Sequence, residues 1–367
     1  MHRILHIIPT LDRAGAEKQL VLLTTHLPRD EFDIHVCALT RGGPWQSVLE
    51  SEGIPVTVVG KRWKFDPAAL WRLKTTVQTL SPDLVQTWIF AANSYGRVAA
   101  RWAGVPHLIA SERCADHCKV WHELVIDRLL ARRTDRIIVN SQGVKDFYVA
   151  KGIPAEKTSV IANAAPDVAV KAVDRQAWRA ELGLPPSAKV IVTVGRLWPQ
   201  KRMKDLIWAL ELLYGARNDV YLQIIGDGPR RRYLERFRDR TSARDRVTFL
   251  GHRDNVPDYL YAADCFWLGS GYEGQSNALM EAMQAGLPVV VTDIPGNRDL
   301  VEHGKSGMLV RVGDSAAFAQ HTHQILNDES MAQKLGSAAR ERIEQEFSVE
   351  VMVARYVQEY RSILNAT

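Results

Sequence analysis

The feature that most constrains this sequence is a regular alternation of short β-branched runs with stretches of helical periodicity. Candidate strands cover residues 3–8, 33–39, 56–59, 84–87, 107–110 and 136–140, and the helical pattern is clearest over 68–80 and 92–103. Continuous apolar runs joined by helices are typical of parallel sheets buried on both faces. The sequence therefore predicts an α/β fold.

The alternation stops once and then begins again. Residues 161–173 carry a proline and no apolar period, and we interpret them as a linker. Six further candidate strands follow at residues 190–194, 221–225, 247–250, 265–268, 289–292 and 308–310. Because 367 residues suggest about two domains at roughly 150 residues each, the prediction is two doubly wound, Rossmann-like domains.

Composition excludes several classes of protein. Hydrophobic residues make up 46% of the chain and charged residues 24%, which excludes a disordered or fibrous chain. The excess of 47 Lys and Arg over 42 Asp and Glu favours phosphate-bearing ligands or anionic lipid surfaces only weakly. No apolar run reaches the roughly 18 residues of a membrane span, and no signal peptide is evident. With only four cysteines, these features predict a cytoplasmic protein.

The first candidate site follows the strand at 190–194. Gly195-Arg196 ends that strand, and Lys201 stands shortly before the next helical pattern, which begins near residue 204. Open α/β sheets bind ligands at this carboxyl edge. An arginine fork and a lysine point charge together suit a diphosphate. The alternative is an ordinary solvated loop with two surface cations.

The second candidate site is the segment 270–281, again just after a strand. Its glycines permit a close backbone approach to a ligand, and Ser276 or Asn277 is placed to cap the following helix, whose free N–H groups form an anion site. Glu273 lies on the loop and Glu281 on the helix. A carboxylate pair of this kind suits the hydroxyls of a sugar or a ribose. The alternative is two exposed glutamates of no special role.

These motifs resemble those of the retaining glycosyltransferases of family 4, which have the GT-B architecture of two Rossmann-like domains facing across a cleft. The resemblance covers essentially the whole chain and is strongest over residues 190–315. Its elements are Val194-Gly195-Arg196 with Lys201, Ile225-Gly226-Asp227-Gly228-Pro229, Phe249-Leu250-Gly251, Glu273-Gly274, Glu281-Ala282-Met283 and Gly286-Leu287-Pro288-Val289-Val290.

The resemblance implies a role for each candidate residue. Arg196 and Lys201 correspond to the cations that bind the donor diphosphate, and Glu281 to the acid that holds the ribose. Glu273 corresponds to a donor-sugar contact, and Gly15 falls in a loop that closes on the donor from the first domain. The backbone after Glu273 completes the donor-sugar contacts, through Gly274, Gln275, Ser276 and Asn277.

The sequence departs from the family pattern at three positions. Ala14 stands where the first loop usually has a glycine, and Gln275 stands where an aromatic residue is common. The family often has a histidine beyond a late strand of the first domain, and Glu112 or Arg113 takes that place here. We expect Arg113 to contact substrate, with His117 as the nearest imidazole that could substitute for the missing histidine.

Two further groups of residues were considered as sites. Cys114, Cys118 and His122 have helical spacing, but structural zinc sites normally use tighter pairs from separate elements, so we predict no metal. The run Lys61-Arg62-Trp63-Lys64-Phe65 and Trp71 mix cations with aromatics, which suits peripheral contact with an anionic membrane. The interpretation we favour is a helix whose Trp71 face packs on the sheet. No nucleic-acid module accompanies these cations.

The candidate residues and the resemblance together imply a retaining, metal-independent hexosyl- or related glycosyltransferase. It would move a sugar from a nucleotide-diphosphate-sugar, UDP- or GDP-linked, to a hydroxyl of a glycan or lipid-linked saccharide, and would need no cofactor. In the family's chemistry the acceptor attacks from the leaving-group face and the phosphate takes the proton. The alternatives are a nucleotide-sugar-binding protein without transfer activity and a GT-B-type epimerase.

The expected domain division follows from the same resemblance. Residues 1–167 with 348–367 form the acceptor-side domain, and residues 168–347 form the donor-binding domain. The tail beyond residue 348 has apolar residues at helical spacing. We expect it to return to the first domain and to bury Val353, Tyr356, Val357 and Tyr360 there. The inner face of the membrane is an alternative to a purely cytoplasmic location.

Overall fold

The computed structural model describes residues 1–115, 119–166 and 174–365. The chain divides into two compact units. The N-terminal unit comprises Met1–Ala164 with Val349–Thr367, and the C-terminal unit comprises Ala165–Ser348. Each unit has its own parallel sheet, which confirms the predicted α/β class with two Rossmann-like domains.

The N-terminal unit contains a parallel sheet of seven strands in the order β3-β2-β1-β4-β5-β6-β7. Its strands are β1 (His2–Thr10), β2 (Phe32–Arg41), β3 (Val56–Val58), β4 (Leu84–Trp88), β5 (His107–Glu112), β6 (Arg136–Val139) and β7 (Thr158–Val160). Its helices are α1 (Gly15–His26), α2 (Pro44–Ser51), α3 (Pro67–Leu80), α4 (Ile89–Ala103), α5 (Trp121–Ala131), α6 (Gln142–Ala150) and the last helix of the chain, α15 (Val349–Leu364).

The C-terminal unit contains a parallel sheet of six strands in the order β10-β9-β8-β11-β12-β13. Its strands are β8 (Lys189–Val194), β9 (Val220–Ile225), β10 (Val247–Gly251), β11 (Cys265–Leu268), β12 (Val289–Thr292) and β13 (Met308–Val310). Its helices are α7 (Arg175–Glu181), α8 (Met203–Tyr214), α9 (Arg231–Arg238), α10 (Val256–Ala262), α11 (Asn277–Gln284), α12 (Pro295–Arg298), α13 (Ser315–Asn327) and α14 (Glu329–Glu346).

The N-terminal sheet is covered on both faces. Helices α1 and α2 pack on one face, and the apolar sides of α3 and α4 pack on the other. Such a division follows from right-handed crossovers, because the chain winds first to one side of β1 and then to the other. The candidate linker takes part in this unit through Gln19, whose amide pairs with the backbone of Ala164 in both directions at 2.8 Å.

Helix α15 completes the face formed by α1 and α2. Tyr356 and Tyr360 are fully buried in this core, Val353 is buried at its edge, and Val357 is partly buried against it. The Tyr360 hydroxyl donates to the side-chain oxygen of Gln86 in β4. Burying apolar side chains of this size stabilises a fold by roughly 1.5–3 kcal/mol each, so α15 is an integral part of the N-terminal unit.

Two details of the N-terminal unit differ from the sequence predictions. Strand β7 (Thr-Ser-Val) has only one apolar residue, so it lacks the apolar run that indicated the equally short strands β3 and β13. The preferred interpretation of Trp71 was wrong, because its side chain is 64% exposed while Ala69, Leu73 and Val77 supply the buried face of α3. The outer face of α3 therefore presents an aromatic ring to solvent.

Candidate functional site

The carboxyl edge of the C-terminal sheet is built from backbone turns in very close contact. The amide of Leu197, after β8, donates to the carbonyl oxygen of Asp227, after β9, at 3.0 Å. A Cβ atom on Gly226, whose φ is +125°, would lie 2.2 Å from the carbonyl oxygen of Gly195, and one on Gly228 would lie 2.6 Å from that of Leu197. Only glycine fits at these two positions. The close backbone contact that they permit holds the β8 turn at the sheet edge.

Lys201 and Glu273 form an ion pair at this edge. The ammonium of Lys201 donates to Oε1 of Glu273, and the hydroxyl of Ser270 donates to the same oxygen at 2.7 Å. The Gln200 amide donates to the carbonyl oxygen of Tyr272 at 2.7 Å and lies 3.4 Å from Oε2 of Glu273. The pair is mostly buried, so the turn after β8 and the loop after β11 are joined in one arrangement.

The Glu273 loop also rests on the next βα turn. A Cβ atom on Gly296, in α12, would lie 1.8 Å from the carbonyl oxygen of Gly274. The Thr292 hydroxyl donates to the carbonyl oxygen of Ser270 at 2.6 Å, and the buried Asn297 amide donates to the carbonyl oxygen of Thr292 at 2.8 Å. The loop is thus supported on both sides by neighbouring turns of the same sheet edge.

Helix α11 begins directly after this loop. Ser276 is its N-cap, and its hydroxyl accepts from the amide of Leu279. Gln275 and Ser276 are buried, whereas Asn277 and Glu281 are partly exposed. Asn277 and Glu281 are four residues apart and therefore share one face of the helix. Unsatisfied amides and the helix dipole make such an N-terminus favourable for a phosphate.

Arg196 lies on the exposed side of the β8 turn. Its guanidinium stacks over the ring of Trp198, with 4.9 Å from Cζ to the ring centroid. Within the described part of the chain, no carboxylate oxygen lies within 4 Å of it. The structure thus brings Lys201 together with Glu273, and places Arg196 on an aromatic platform of the same turn.

Gly15 is the first residue of α1 in the N-terminal unit. Two residues later, Glu17 is buried, and it accepts a hydrogen bond from the Thr10 hydroxyl at 3.2 Å. Burial raises the pKa of Glu17, partly opposed by its hydrogen bonds. The acid of this loop therefore faces the protein and braces the turn between β1 and α1.

Arg113 follows β5 and is almost fully buried. Its guanidinium stacks on Trp88, with 4.4 Å from Cζ to the ring centroid. It donates to the side-chain oxygen of Asn163 at 3.2 Å and to the hydroxyl of Tyr356 in α15. None of these partners is anionic, and no described residue forms a hydrogen bond with its Nε atom. Arg113 therefore connects the end of β5 to the C-terminal helix.

Glu112, the other residue at the place of the family's histidine, is buried in a separate polar cluster. Its carboxylate accepts from Asn93 at 3.0 Å, from Lys119 at 2.9 Å and from the Tyr148 hydroxyl at 3.1 Å. Lys119 also contacts Asp127 at 2.8 Å. Burial raises the pKa of Glu112, and the positive charge of Lys119 opposes this. The carboxylate of Glu112 is thus occupied by donors from the protein itself.

The alternatives at His117 and Cys118 lie outside the described residues, as does the part of the predicted linker 161–173 that follows residue 166. Among the residues that the structure describes, no three His, Cys, Asp or Glu side chains cluster in a way that would hold a metal ion. Of the helices in the described ranges, none combines the length and the apolar character of a membrane span.

Sequence reasoning missed three residues that organise the site. Gln200 and Ser270 orient the Glu273 loop, and Gly296 supports it from beneath. A signal for Gly296 was available, because Pro295-Gly296-Asn297 is a turn motif close after a buried strand. Nothing in the sequence around Ser270 or Gln200 indicates that both side chains lie within hydrogen-bond distance of the Glu273 carboxylate.

Solved structures first identify the class of fold. A crystal structure of Anabaena HepE in complex with UDP and glucose superposes with a TM-score of 0.89 at 25% sequence identity, and covers 99% of this chain and 100% of HepE. Two Rossmann-like domains, each with its own parallel sheet, define a glycosyltransferase of the GT-B fold.

The sequence comparisons then give the family. The model "Glycosyltransferase Family 4" matches residues 13–166, and the model "Glycosyl transferases group 1" matches residues 174–342. The chain belongs to the GT-B glycosyltransferases of family 4 type, as its motifs predicted.

Two relatives support the same assignment over part of their length. The lipopolysaccharide core biosynthesis glycosyltransferase LpsE of Rhizobium meliloti is 33% identical over 62% of this chain, and the match spans 64% of that relative. N-acetyl-alpha-D-glucosaminyl L-malate synthase of Bacillus anthracis is 32% identical over 50% of this chain, and the match spans 48% of that relative.

Proposed function

We propose that this protein transfers a hexosyl or related sugar from a nucleoside-diphosphate donor to a hydroxyl group of a saccharide acceptor, with retention of anomeric configuration. The observation that carries the proposal is the Lys201–Glu273 pair at the sheet edge beside the capped start of α11. HepE, which has the same fold, binds UDP and glucose, so we propose UDP as the first nucleotide to test and GDP as the second.

The proposed roles follow from charge. Breaking the anomeric bond leaves negative charge on the departing diphosphate, and preorganised donors stabilise it. Lys201 has three N–H donors, of which one is directed to Glu273, so two are left for phosphate oxygens. Arg196 and the amides at the start of α11 supply further donors. In this proposal Glu273 binds the sugar and Glu281 binds the ribose.

The proposed chemistry uses neither a protein nucleophile nor a metal. Glu273 accepts hydrogen bonds from Lys201 and Ser270 on one oxygen, which reduces its nucleophilicity and supports a binding role. The acceptor hydroxyl would attack from the face of the leaving group, and the diphosphate would take its proton. If the reaction needs no metal or cofactor, dialysis against EDTA leaves the rate unchanged.

The proposed acceptor is a glycan or a lipid-linked saccharide used in polysaccharide assembly. LpsE, the relative with lipopolysaccharide core biosynthesis in its name, supports this class. Product anomeric configuration, read by NMR, tests retention. If the protein binds the donor but gives no transfer with any acceptor, it is a nucleotide-sugar-binding protein. If it converts the nucleotide sugar without an acceptor, it is an epimerase.

Calorimetric titration with UDP and UDP-glucose tests the donor site. Lys201→Met or Arg196→Ala should weaken UDP binding by about 10- to 150-fold, because a hydrogen bond to a charged group contributes about 1.5–3 kcal/mol. The matched control is Lys204→Met, since Lys204 lies on α8 with its ammonium over the ring of Phe237. Unchanged UDP and GDP affinity in both site variants would contradict the proposal.

The same titrations distinguish the proposed roles of the two glutamates. Glu281→Gln should weaken UDP and UDP-glucose alike, because the ribose is common to both ligands. Glu273→Gln should weaken UDP-glucose and leave UDP binding within about twofold, since free UDP carries no sugar and the Gln side-chain oxygen can still accept from Lys201. Equal losses for both ligands in both variants would show that the division of roles is wrong.

A further inference from the structure

The turn between β3 and α3 holds two aromatic rings in solvent. The Trp63 side chain is 70% exposed and that of Phe65 is 80% exposed. The backbone beneath them is fixed, because the Tyr95 hydroxyl accepts from the amide of Asp66 at 2.6 Å and donates to the carbonyl oxygen of Lys64 at 3.1 Å. An ordered turn therefore displays these rings, although burying them would be favourable.

The same turn is densely cationic. Lys61, Arg62 and Lys64 alternate with the two rings in the sequence. Lys61 lies over the ring of Tyr95, with its ammonium 4.9 Å from the centroid. In the part of the chain that the structure describes, no carboxylate oxygen lies within 4 Å of these three side chains. Their positive charge is thus available to an external anionic surface.

Helix α5 carries a second exposed apolar stripe. Trp121, Val125 and Leu129 are spaced four residues apart, which places them on one face, and all three are exposed, Trp121 by 76%. Arg132 and Arg133 follow at the end of the helix and are also exposed. An amphipathic helix with arginines beside a tryptophan and aliphatic side chains is typical of binding at a lipid interface.

The topology places these two features on one side of the N-terminal unit. Helix α3 packs against α4, and α4 packs against α5, and all three cover the same face of the sheet. Because each helix starts at the carboxyl edge of the strands, the turn that precedes α3 and the Trp121 end of α5 lie at that edge. It is also the edge at which α/β domains bind ligands.

We propose that the cationic aromatic turn at residues 61–65 and the outer face of α5 dock this unit on an anionic lipid bilayer. The rings and aliphatic side chains would enter the headgroup region, and the cations would contact anionic headgroups. A second copy of the chain fits poorly, because a symmetric contact would place like charges against each other. A nucleic acid also fits poorly, because the aliphatic side chains of Val125 and Leu129 cannot stack on bases as aromatic rings do.

Vesicle flotation with the full-length protein tests this proposal and uses no nucleotide sugar, so its result is separate from that of the donor titrations. We expect binding to vesicles of phosphatidylcholine with phosphatidylglycerol and little binding to phosphatidylcholine alone. Replacing Arg62 and Lys64 by Gln should weaken binding about 25-fold, at roughly fivefold for each cation near the surface. Added salt should weaken binding of the unchanged protein for the same reason.

Two apolar double variants test each feature separately. Trp63→Ser with Phe65→Ser, and Trp121→Ser with Leu129→Ser, should each reduce vesicle binding at least tenfold. Because these side chains are exposed, circular dichroism and thermal unfolding should stay unchanged. The matched control is Trp208→Ser, since Trp208 is 47% exposed on α8 of the C-terminal unit.

Several results would overturn the proposal. These are no binding to anionic vesicles, equal binding to neutral ones, or an equal loss in the Trp208 control. A concentration-dependent dimer that the Trp63 and Phe65 variant abolishes, without vesicle binding, would show that the surface is an interface between copies. Tight binding of single-stranded RNA in place of vesicles would assign the surface to nucleic acid.

Discussion

Gly296 offers the sharpest test of how the Glu273 loop is held. In the native arrangement the α carbon of Gly296 is so close to the loop that a Cβ atom would lie 1.8 Å from the carbonyl oxygen of Gly274 and 3.2 Å from that of Glu273. Real Cβ atoms do not approach a backbone oxygen this closely. Gly296→Ala must therefore displace either the loop or α12.

The size of the displacement determines the expected losses of activity and of stability. The contact must lengthen from 1.8 Å by roughly 1.5 Å to reach a carbon–oxygen separation of about 3.3 Å. A misplacement of about 1 Å in a positioning element costs up to about 100-fold in activity. Overpacking also costs about 1–3 kcal/mol of unfolding free energy. Because Glu273 binds Lys201, the shift should disturb both members of the pair.

A second glycine in the same unit supplies the control. A Cβ atom on Gly336, in α14, would lie 2.0 Å from the carbonyl oxygen of Gly286, at the end of α11. Gly336→Ala thus creates a similar clash with a backbone oxygen, but away from the Glu273 loop. Both variants should lower the melting temperature by about 2–4 °C for each kcal/mol lost.

Calorimetric titration distinguishes displacement of the Glu273 loop from general destabilisation. Gly296→Ala should weaken UDP-glucose binding at least tenfold at a temperature where both variants are folded, whereas Gly336→Ala should bind it as the native protein does. Native affinity in Gly296→Ala would refute the argument that this contact positions the loop. Equal losses in the two variants would mean that the effect is general destabilisation.

Three further predictions concern the N-terminal unit and are measured by urea unfolding. Tyr356→Phe should lower the free energy of unfolding by about 1.5–3 kcal/mol, because Arg113 donates to the Tyr356 hydroxyl. A loss below about 0.5 kcal/mol, the level of an ordinary surface substitution, would show that this bond is not needed. Burial lowers the pKa of His6 from 6.5 to about 3, so unfolding takes up a proton between these pH values and the free energy of unfolding decreases as the pH is lowered. At pH 5 the loss is about 2 kcal/mol relative to neutral pH, and His6→Gln should remove this pH dependence. Burial raises the pKa of Glu17, so its ionisation lowers the free energy of unfolding as the pH rises through its folded-state pKa. Glu17→Gln should therefore stabilise the protein most at high pH, and a stabilisation independent of pH would contradict this.

The fold could be predicted because its signal is local. A buried parallel strand is a run of apolar residues and a helix is a periodic pattern, so each element can be recognised within about ten residues. The N-caps follow the same rule, as at Ser276, whose position just before an apolar helix predicted its role. Strand β7 was not predicted because two of its three residues are polar.

The site could be predicted only as a set of positions. That Lys201 and Glu273 lie at the same sheet edge followed from parallel topology, but their ion pair joins residues 72 positions apart. The contact between Arg113 and Tyr356 joins residues 243 positions apart. Such contacts depend on side-chain rotamers in the packed unit, which neither periodicity nor motif spacing specifies.

The residues at the place of the family's histidine bear on the proposed chemistry. Glu112 accepts hydrogen bonds from Asn93, Lys119 and Tyr148, and Arg113 stacks on Trp88. Both oxygens of the buried Glu112 carboxylate already accept hydrogen bonds from the protein, and a guanidinium stays protonated. Neither residue is therefore suited to take a proton from an acceptor hydroxyl. The proposed transfer of that proton to the departing diphosphate needs neither of them, and it is therefore the step most compatible with this N-terminal unit.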